Sequence, residues 1–325
     1  MRRSLLAPIL ALFVSSGCYV NVPLGALGSA GALEESTVLG ESGPKIAMIE
    51  VDGLLSDQPE RGRLGLSSEP SVVSRIREAL DLAARDREVS AVLLRIQSPG
   101  GTVSASETIH HEVLEWKERH DKPVVAFLNG LATSGGYYVA MAADEVIAHP
   151  TAITGSIGVI LAGVNLSGLM ERFGVSDQSI KSGPYKDSGS PLRPMEASDR
   201  AMLQEVVDEL HERFRQVVDE GRPGMDAARV AELADGRIFT ARQAHELGLV
   251  DALGHMDEAV RAAERRAGIP ESRVVTYHRP GQLRETIYGR PPSTPVQIVD
   301  VDLLSVAPST LPTGFYYLWP LALPH

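Results

Sequence analysis

The sequence predicts an α/β domain built on a largely parallel sheet. Three observations carry that prediction. Apolar strand-like runs alternate with amphipathic helical stretches through the first half of the chain. Those runs are continuously apolar, as strands covered on both faces are, and do not alternate. Helical periodicity then dominates the second half.

Taken in order, residues 45–51 (KIAMIEV) are a β-rich apolar run and form the first strand. Residues 58–69 are polar and contain glycine, which reads as a loop. From 70 to 85 the apolar positions Val72, Val73, Ile76, Leu80 and Ala83 follow helical spacing, and Pro70 suits a helix start. Residues 89–96 (VSAVLLRI) read as a buried strand, 102–120 as a helix and 123–128 (PVVAFL) as a second buried strand. The small apolar residues 134–143 suit a tightly packed helix, and 145–148 a short strand. A long amphipathic helix follows over 197–220, with Leu203, Val206, Val207, Leu210, Phe214, Val217 and Val218 on one side. Shorter helices are expected over 226–234 and 241–247, with a small strand at 237–239 between them. Residues 256–267 make the last clear helix. Beyond Pro270 the chain is Pro-rich and reads as irregular, ending in an aromatic run, Phe315-Tyr316-Tyr317-Leu318-Trp319. No internal repeat of solenoid length is present.

The ends differ from the body. Arg2 and Arg3 precede a ten-residue apolar run, 5–14, and then Ser15-Ser16-Gly17-Cys18. The run is short of the roughly 20 residues a spanning helix needs and fits the apolar region of a secretory signal. Cys18 is the only cysteine. Its setting resembles a bacterial lipoprotein signal, cleaved before Cys18 so that the lipidated thiol becomes the new N-terminus. Ser15 departs from that pattern, where Leu is usual, and ordinary secretion or an uncleaved anchor are the alternatives. Four segments result: a signal over 1–18, a flexible tether over 19–43 rich in Gly, Ala, Leu and Ser, a folded domain over 44–268, and a Pro-rich tail over 269–325. The expected location is extracytoplasmic and membrane-anchored, facing the periplasm in a Gram-negative cell.

Composition limits the function classes. The chain has 325 residues, 43% of them hydrophobic, enough for a sizeable core. Mean hydropathy is −0.03, which excludes a multi-span membrane protein. The formal net charge is −11 and no Lys/Arg stripe breaks it, which argues against nucleic acid as a partner. A single cysteine permits no disulfide within the chain. No P-loop is present, and His111-Glu112-Val113-Leu114-Glu115 carries Glu where a zinc-binding His-Glu-x-x-His needs its second His. No metal or other cofactor is therefore expected.

Four Gly-rich stretches carry the chemistry. Ser98-Pro99-Gly100-Gly101 lies between a buried strand and a helix. Its glycines can adopt angles closed to other residues and turn their N–H groups into a cavity; a plain tight turn is the alternative. Ser134 follows a strand and precedes Gly135-Gly136 at a helix start, where a nucleophile gains from nearby amides; close helix packing is the alternative. Ala132 rules out the Gly-x-Ser-x-Gly elbow. Thr154-Gly155-Ser156-Ile157-Gly158 offers Ser156 as a hydrogen-bonding partner for an amine. Lys186 lies in Gly183-Pro184-Tyr185-Lys186-Asp187. A lysine serves as a general base only when its amine is neutral, which asks for a pKa depression of roughly 2–4 units by burial. A solvated loop lysine is the alternative.

Together these segments resemble the signal peptide peptidase A family, whose members share the Clp protease–crotonase fold. The resemblance covers about residues 45–267. It rests on Arg95 to Gly101 (RIQSPGG), Ser134-Gly135-Gly136-Tyr137-Tyr138, Thr154 to Val159 (TGSIGV), Lys181-Ser182-Gly183, Tyr185-Lys186-Asp187, Asp235-Gly236-Arg237 and Gly248-Leu249-Val250-Asp251. It implies a spiral of β-β-α units with a helical C-terminal extension. It also implies Ser134 as nucleophile, Lys186 as general base, Ser156 as the residue orienting that lysine, and amides at Gly100, Gly101 and Gly135 as an oxyanion hole. Gln97 and Thr133 depart from the family pattern, where Asn or Asp and Ala are usual. In short members of the family Ser and Lys come from neighbouring subunits, which implies a homo-oligomeric ring. The implied activity is membrane-associated hydrolysis of apolar peptides such as remnant signal peptides. A crotonase-type acyl-CoA enzyme and a catalytically silent scaffold are the competing readings.

Overall fold

The computed structural model describes residues 31–61, 68–280, 286–287 and 314–319. The signal segment, Cys18 and the first part of the expected tether lie outside the described residues. In chain order the elements are β1 (Glu34–Leu39), β2 (Lys45–Asp52), β3 (Glu60–Arg61), β4 (Ser68–Glu69), α1 (Val72–Arg85), β5 (Val89–Ser98), β6 (Gly100–Thr102), α2 (Val103–His120), β7 (Val124–Thr133), α3 (Gly135–Ala140) and β8 (Glu145–Ala148). There follow β9 (Ile153–Gly155), β10 (Ile160–Ala162), α4 (Ser167–Arg172), α5 (Ala197–Gly221), α6 (Ala227–Leu233), β11 (Ile238–Thr240), α7 (Ala241–Glu246), β12 (Ala252–Leu253), α8 (Met256–Ala267), β13 (Arg273–His278) and β14 (Gly314–Leu318).

The main sheet runs β1-β13-β2-β5-β7-β8-β12. Every neighbouring pair from β13 to β12 is parallel, and β1 closes the edge antiparallel to β13. Successive residues of β2 alternate between two cores. Ala47, Ile49 and Val51 face α1, α2 and α3, whereas Ile46 and Met48 join Leu93, Val125 and Phe127 against Ala259, Val260 and Ala263 of α8. Both faces are covered, which is why these strands read as unbroken apolar runs. This is the mixed α/β, parallel-rich architecture expected.

The helices start where local chemistry starts them. The Ser71 side chain accepts the Ser74 N–H at the head of α1, and the Thr102 side chain accepts the Ala105 N–H at the head of α2. The buried Trp116 indole donates to the Leu80 carbonyl at 3.0 Å and locks α2 to α1.

The ends depart from the expected segments. Glu34–Leu39 lies within the 19–43 tether yet forms a strand, because Glu34 to Thr37 and then Leu39 find partners along β13. Within the tail expected to be irregular, β13 pairs with β2 and β14 enters a small sheet of order β10-β14-β6. The long helix α5 also differs from its periodicity. Phe214, Val217 and Val218 are buried, but Leu203, Val207 and Leu210 are only partly covered and Val206 is exposed. Among the described residues the N-terminal half of its apolar face is only partly covered. No helix among the described residues is long and apolar enough to cross a membrane.

Candidate active site

Two neighbouring strands end at the same level and each hands the chain to a serine. β9 pairs with β7 in parallel, with Thr133 opposite Gly155. The next residues are Ser134 and Ser156, and both take left-handed backbone angles, φ +52° and +53°. Such angles are uncommon for any residue with a Cβ and cost on the order of 1–3 kcal/mol each. Surrounding bonds hold them: Ser134 N–H donates to the Gly155 carbonyl at 2.7 Å, and Ser156 N–H donates to the Arg237 carbonyl at 2.7 Å. The Ser134 side chain is buried, and its Oγ has no hydrogen-bond partner among the described residues.

α3 behind Ser134 is short, six residues where the sequence suggested ten, but it is firmly anchored. The Tyr137 hydroxyl donates to the Leu249 carbonyl at 2.8 Å, and burial pushes this phenol up to about 12. The Tyr138 hydroxyl donates to Glu107, which also pairs with Arg213 at 2.9 Å. Burial, and then the bond to Glu107, drive the Tyr138 phenol above the ordinary tyrosine range.

The Gly100-Gly101 turn meets this serine backbone to backbone. A Cβ on Gly100 would stand 2.8 Å from Gly135 N, and Gly100 itself has φ +100°. A Cβ on Gly101 would fall 1.9 Å from the Leu55 carbonyl oxygen, and one on Gly135 2.3 Å from Ser106 Oγ. Ser98 holds the turn: its buried hydroxyl donates to the Gly53 carbonyl at 2.6 Å and accepts the Gly100 N–H at 3.0 Å. The Gly100 amide is thus already engaged by the Ser98 hydroxyl. Ser98 lies in the RIQSPGG motif, but its role is visible only once Gly53 is brought to it. An open cleft of about 370 Å³ runs from Ser156, Val159 and Ile160 to Val207 and His211, bounded by Leu318 and Trp319.

Among the described residues Lys186 makes no hydrogen bond to Ser134. It is exposed in a turn whose N–H bonds back to Gly183 at 3.3 Å, and the unpartnered Ser134 Oγ receives no bond from it. Its neighbours fix the turn. Asp187 pairs with Arg193 at 2.9 Å and Lys181 at 2.7 Å, and Arg193 reaches Asp199 at 2.5 Å. The Arg193 guanidinium, then the Lys181 amine, hold the Asp187 carboxyl well below the usual carboxylate range; Arg193, then the Ser188 hydroxyl, do the same for Asp199. Arg193 and Asp199 carry no motif signal, and their pairing shows only in the fold. The same segment exposes Val164, Leu169, Phe173, Val175, Ile180 and Tyr185. Among the described residues no three His, Cys, Asp or Glu side chains stand together as a metal site would require.

A strained, buried serine set beside glycine amides at the ends of parallel strands belongs to the class of serine hydrolases acting on acyl groups. Comparison with known proteins narrows that class. Residues 117–270 match the family model described as Peptidase family S49. The chain is 36% identical over 77% of its length to a putative signal peptide peptidase SppA of Enterococcus faecium, covering 72% of that protein. It is 40% identical over 71% of its length to a putative protease of Synechocystis sp., covering 77% of it. It is 32% identical over 68% of its length to Protease 4 of Haemophilus influenzae, of which it spans 34%. The chain belongs to peptidase family S49, the signal peptide peptidase A family of serine-type endopeptidases.

Proposed function

We propose that this serine peptidase works through a Ser134–Lys186 dyad completed between two copies of the chain, at a membrane surface, on extended apolar peptides. The observation that carries the reading is the asymmetry of the site. The serine side is buried and finished, with Ser134, Ser156 and the Gly101 and Gly135 backbone gathered at one place. The lysine lies on a pinned but uncovered segment rich in exposed apolar side chains. A second copy seated on that segment buries those side chains, and burial is what a lysine base requires. The partly covered N-terminal half of α5 supports the same reading.

The chemistry then proceeds as acyl transfer. The neutral Lys186 amine of a neighbouring copy takes the Ser134 hydroxyl proton as Oγ attacks the peptide carbonyl carbon. The Gly101 and Gly135 amides hold the oxyanion. The lysine ammonium, oriented by Ser156, gives its proton to the leaving amine as the C–N bond breaks. Water, deprotonated by the same amine, hydrolyses the ester and restores Ser134. The proposed substrates are remnant signal peptides, and the lipidated Cys18 would keep the enzyme close to them. The β-β-α spiral and a closed ring belong to this reading through the family.

Mixing tests it. Ser134→Ala and Lys186→Ala chains should each lose activity on a fluorogenic apolar peptide by about 10³-fold or more. Combined one to one and reassembled, they should regain about a quarter of wild-type activity, because random pairing makes that share of sites whole. No recovery from a mixture that co-sediments would show that each chain supplies both residues to its own site.

A further inference from the structure

Two helices start at the backbone assigned to the oxyanion, and one side-chain bond joins them behind it. Gly101 lies in β6, which runs directly into α2, and Gly135 is the first residue of α3. The two amides therefore stand at the heads of two separate helices. Donors of this kind stabilise a developing charge only while their geometry is held to within about 0.5 Å. α3 has six residues, and a helix of that length does not hold itself. Contacts from outside must fix its head relative to α2.

α2 supplies those contacts from two adjacent residues. Ser106 lies against the head of α3: a Cβ on Gly135 would stand 2.3 Å from its Oγ, and that hydroxyl donates to the Thr102 carbonyl at 2.9 Å. Glu107 reaches one turn along α3, where its Oε2 accepts the Tyr138 hydroxyl. Tyr138 is tied to the nucleophile through the backbone, its N–H donating to the Ser134 carbonyl at 2.8 Å. The second carboxylate oxygen, Oε1, accepts from Arg213 of α5 at 2.9 Å. The Tyr138 ring is buried, and His110 of α2 and Phe214 of α5 meet it edge-on at 5.3 and 4.9 Å. Burial pushes the Glu107 carboxyl up, but the bonds from Arg213 and Tyr138 outweigh it and hold the group below its ordinary value. Glu107 is therefore an ionised acceptor with both oxygens engaged, and Tyr138 can only donate to it.

The acyl-transfer scheme gives none of these side chains a part. We infer that Glu107 is a positioning residue for that step: through the Tyr138 hydroxyl it braces α3 against α2, and so sets the separation of the Gly135 and Gly101 amides. The inference rests on the oxyanion assignment in the proposed mechanism. Its expected size follows from what such donors are worth. Removal of one costs about 10²–10³ in kcat; a donor that stays in place but loses its alignment should cost less, about tenfold. The binding of an extended peptide does not depend on that alignment, so KM should hardly change.

Three variants of the full chain test it. Tyr138→Phe keeps the ring and its packing, Glu107→Leu removes the acceptor, and Glu107→Gln keeps one. On a fluorogenic apolar peptide, Tyr138→Phe and Glu107→Leu should each lose about tenfold in kcat with KM within about twofold of wild type. Combining them should cost no more than either alone, because one bond is broken in all three chains. Glu107→Gln should keep at least about half of the wild-type kcat. A peptidyl boronate, whose tetrahedral adduct with Ser134 Oγ sets an oxygen among the glycine amides, should bind Tyr138→Phe about tenfold more weakly, whereas an apolar peptide should bind Ser134→Ala and Ser134→Ala/Tyr138→Phe equally. Unchanged kcat in Tyr138→Phe, a loss carried by KM, or losses that multiply in the double variant overturn the inference and leave the peptidase reading intact. Should Glu107→Leu fail to fold, kcat and boronate affinity in Tyr138→Phe decide. Turnover by Ser134→Ala equal to wild type defeats the peptidase reading, and the inference falls with it.

Discussion

The region that carries Ser134 and the region that carries Lys186 are built on opposite principles. Around Ser134, strands β5, β7 and β9 and helix α3 are buried on all sides, and glycines let backbone meet backbone with no room for a Cβ. Around Lys186, between β10 and α5, the chain makes one short helix with no buried residue and leaves Phe173 77% exposed. The first region is complete in one chain; the second is held by ion pairs and lacks a hydrophobic cover. In the proposed dyad, Lys186 on that surface becomes functional only when a second copy covers it. Stability measurements can test this contrast, because substitutions in the two regions should cost very different amounts.

The largest effect is expected at Gly101. Its added Cβ would collide with the Leu55 carbonyl, which is fixed by the Thr102 N–H at 2.9 Å while the Leu55 N–H is fixed to the Gly100 carbonyl at 2.9 Å. Neither side is a flexible side chain that could swing away. Gly101→Ala should destabilise the chain by about 3 kcal/mol or more in urea unfolding. A loss under 1 kcal/mol would mean that the turn is not tightly packed.

That collision shows how much of the molecule was legible in the sequence. The central strands β2, β5, β7 and β8 and helices α1, α2, α5 and α8 announce themselves by long apolar or helical patterns. The three-residue strands β6, β9 and β10 do not, because three residues carry no period and exist only through partners far along the chain. β14 was hidden for the same reason within a Pro-rich tail. At the site, glycine neighbours single out Ser134 and Ser156 as candidates, yet nothing in the sequence announces the engagement of the Gly100 amide by Ser98 Oγ. The long apolar face of α5 was read correctly as a pattern, but a pattern does not say whether the cover comes from the same chain.

Next in size is a pH effect in the buried region. His110 stacks edge-on against Tyr138 at 5.3 Å, and burial pushes its imidazole down to about 4, with Glu107 opposing and Arg213, Lys117 and His111 assisting. Unfolded, it titrates near 6.5. The folded state thus prefers the neutral ring, so its contribution is fully present above about pH 6.5 and is lost as pH falls toward 4. The loss amounts to roughly 3 kcal/mol at most. His110→Phe should flatten the stability profile across that window. The Lys186 region titrates elsewhere: Asp187 and Asp199 are depressed by Arg193, so their contribution holds above about pH 4 and fades only below it. Arg193→Gln should alter the profile there and leave the upper window unchanged.

A smaller effect is expected at Ser134 itself. Glycine accepts φ +52° without the penalty that alanine meets. Ser134→Gly should therefore be more stable than Ser134→Ala by about 1 kcal/mol, with both inactive. Equal stabilities would show that the backbone relaxes when the hydroxyl is removed.

The smallest effect on the chain is expected where the apolar side chains stand in water. Among the described residues Phe173 and Ile180 touch no core, so Phe173→Ser and Ile180→Ser should change the unfolding free energy of a dissociated chain by no more than about 0.5 kcal/mol. If the same side chains form the seat of a second copy, either change should shift sedimentation toward the monomer and reduce peptide hydrolysis, although Ser134, Ser156 and Lys186 are all intact. Unchanged assembly and activity would mean that the lysine reaches its serine by another route. A cost of 2 kcal/mol or more in the dissociated chain would mean that the segment folds back onto its own core. The contrast between the two regions is thus a contrast in what each substitution disturbs: near Ser134 the fold itself, near Lys186 only the proposed contact between copies.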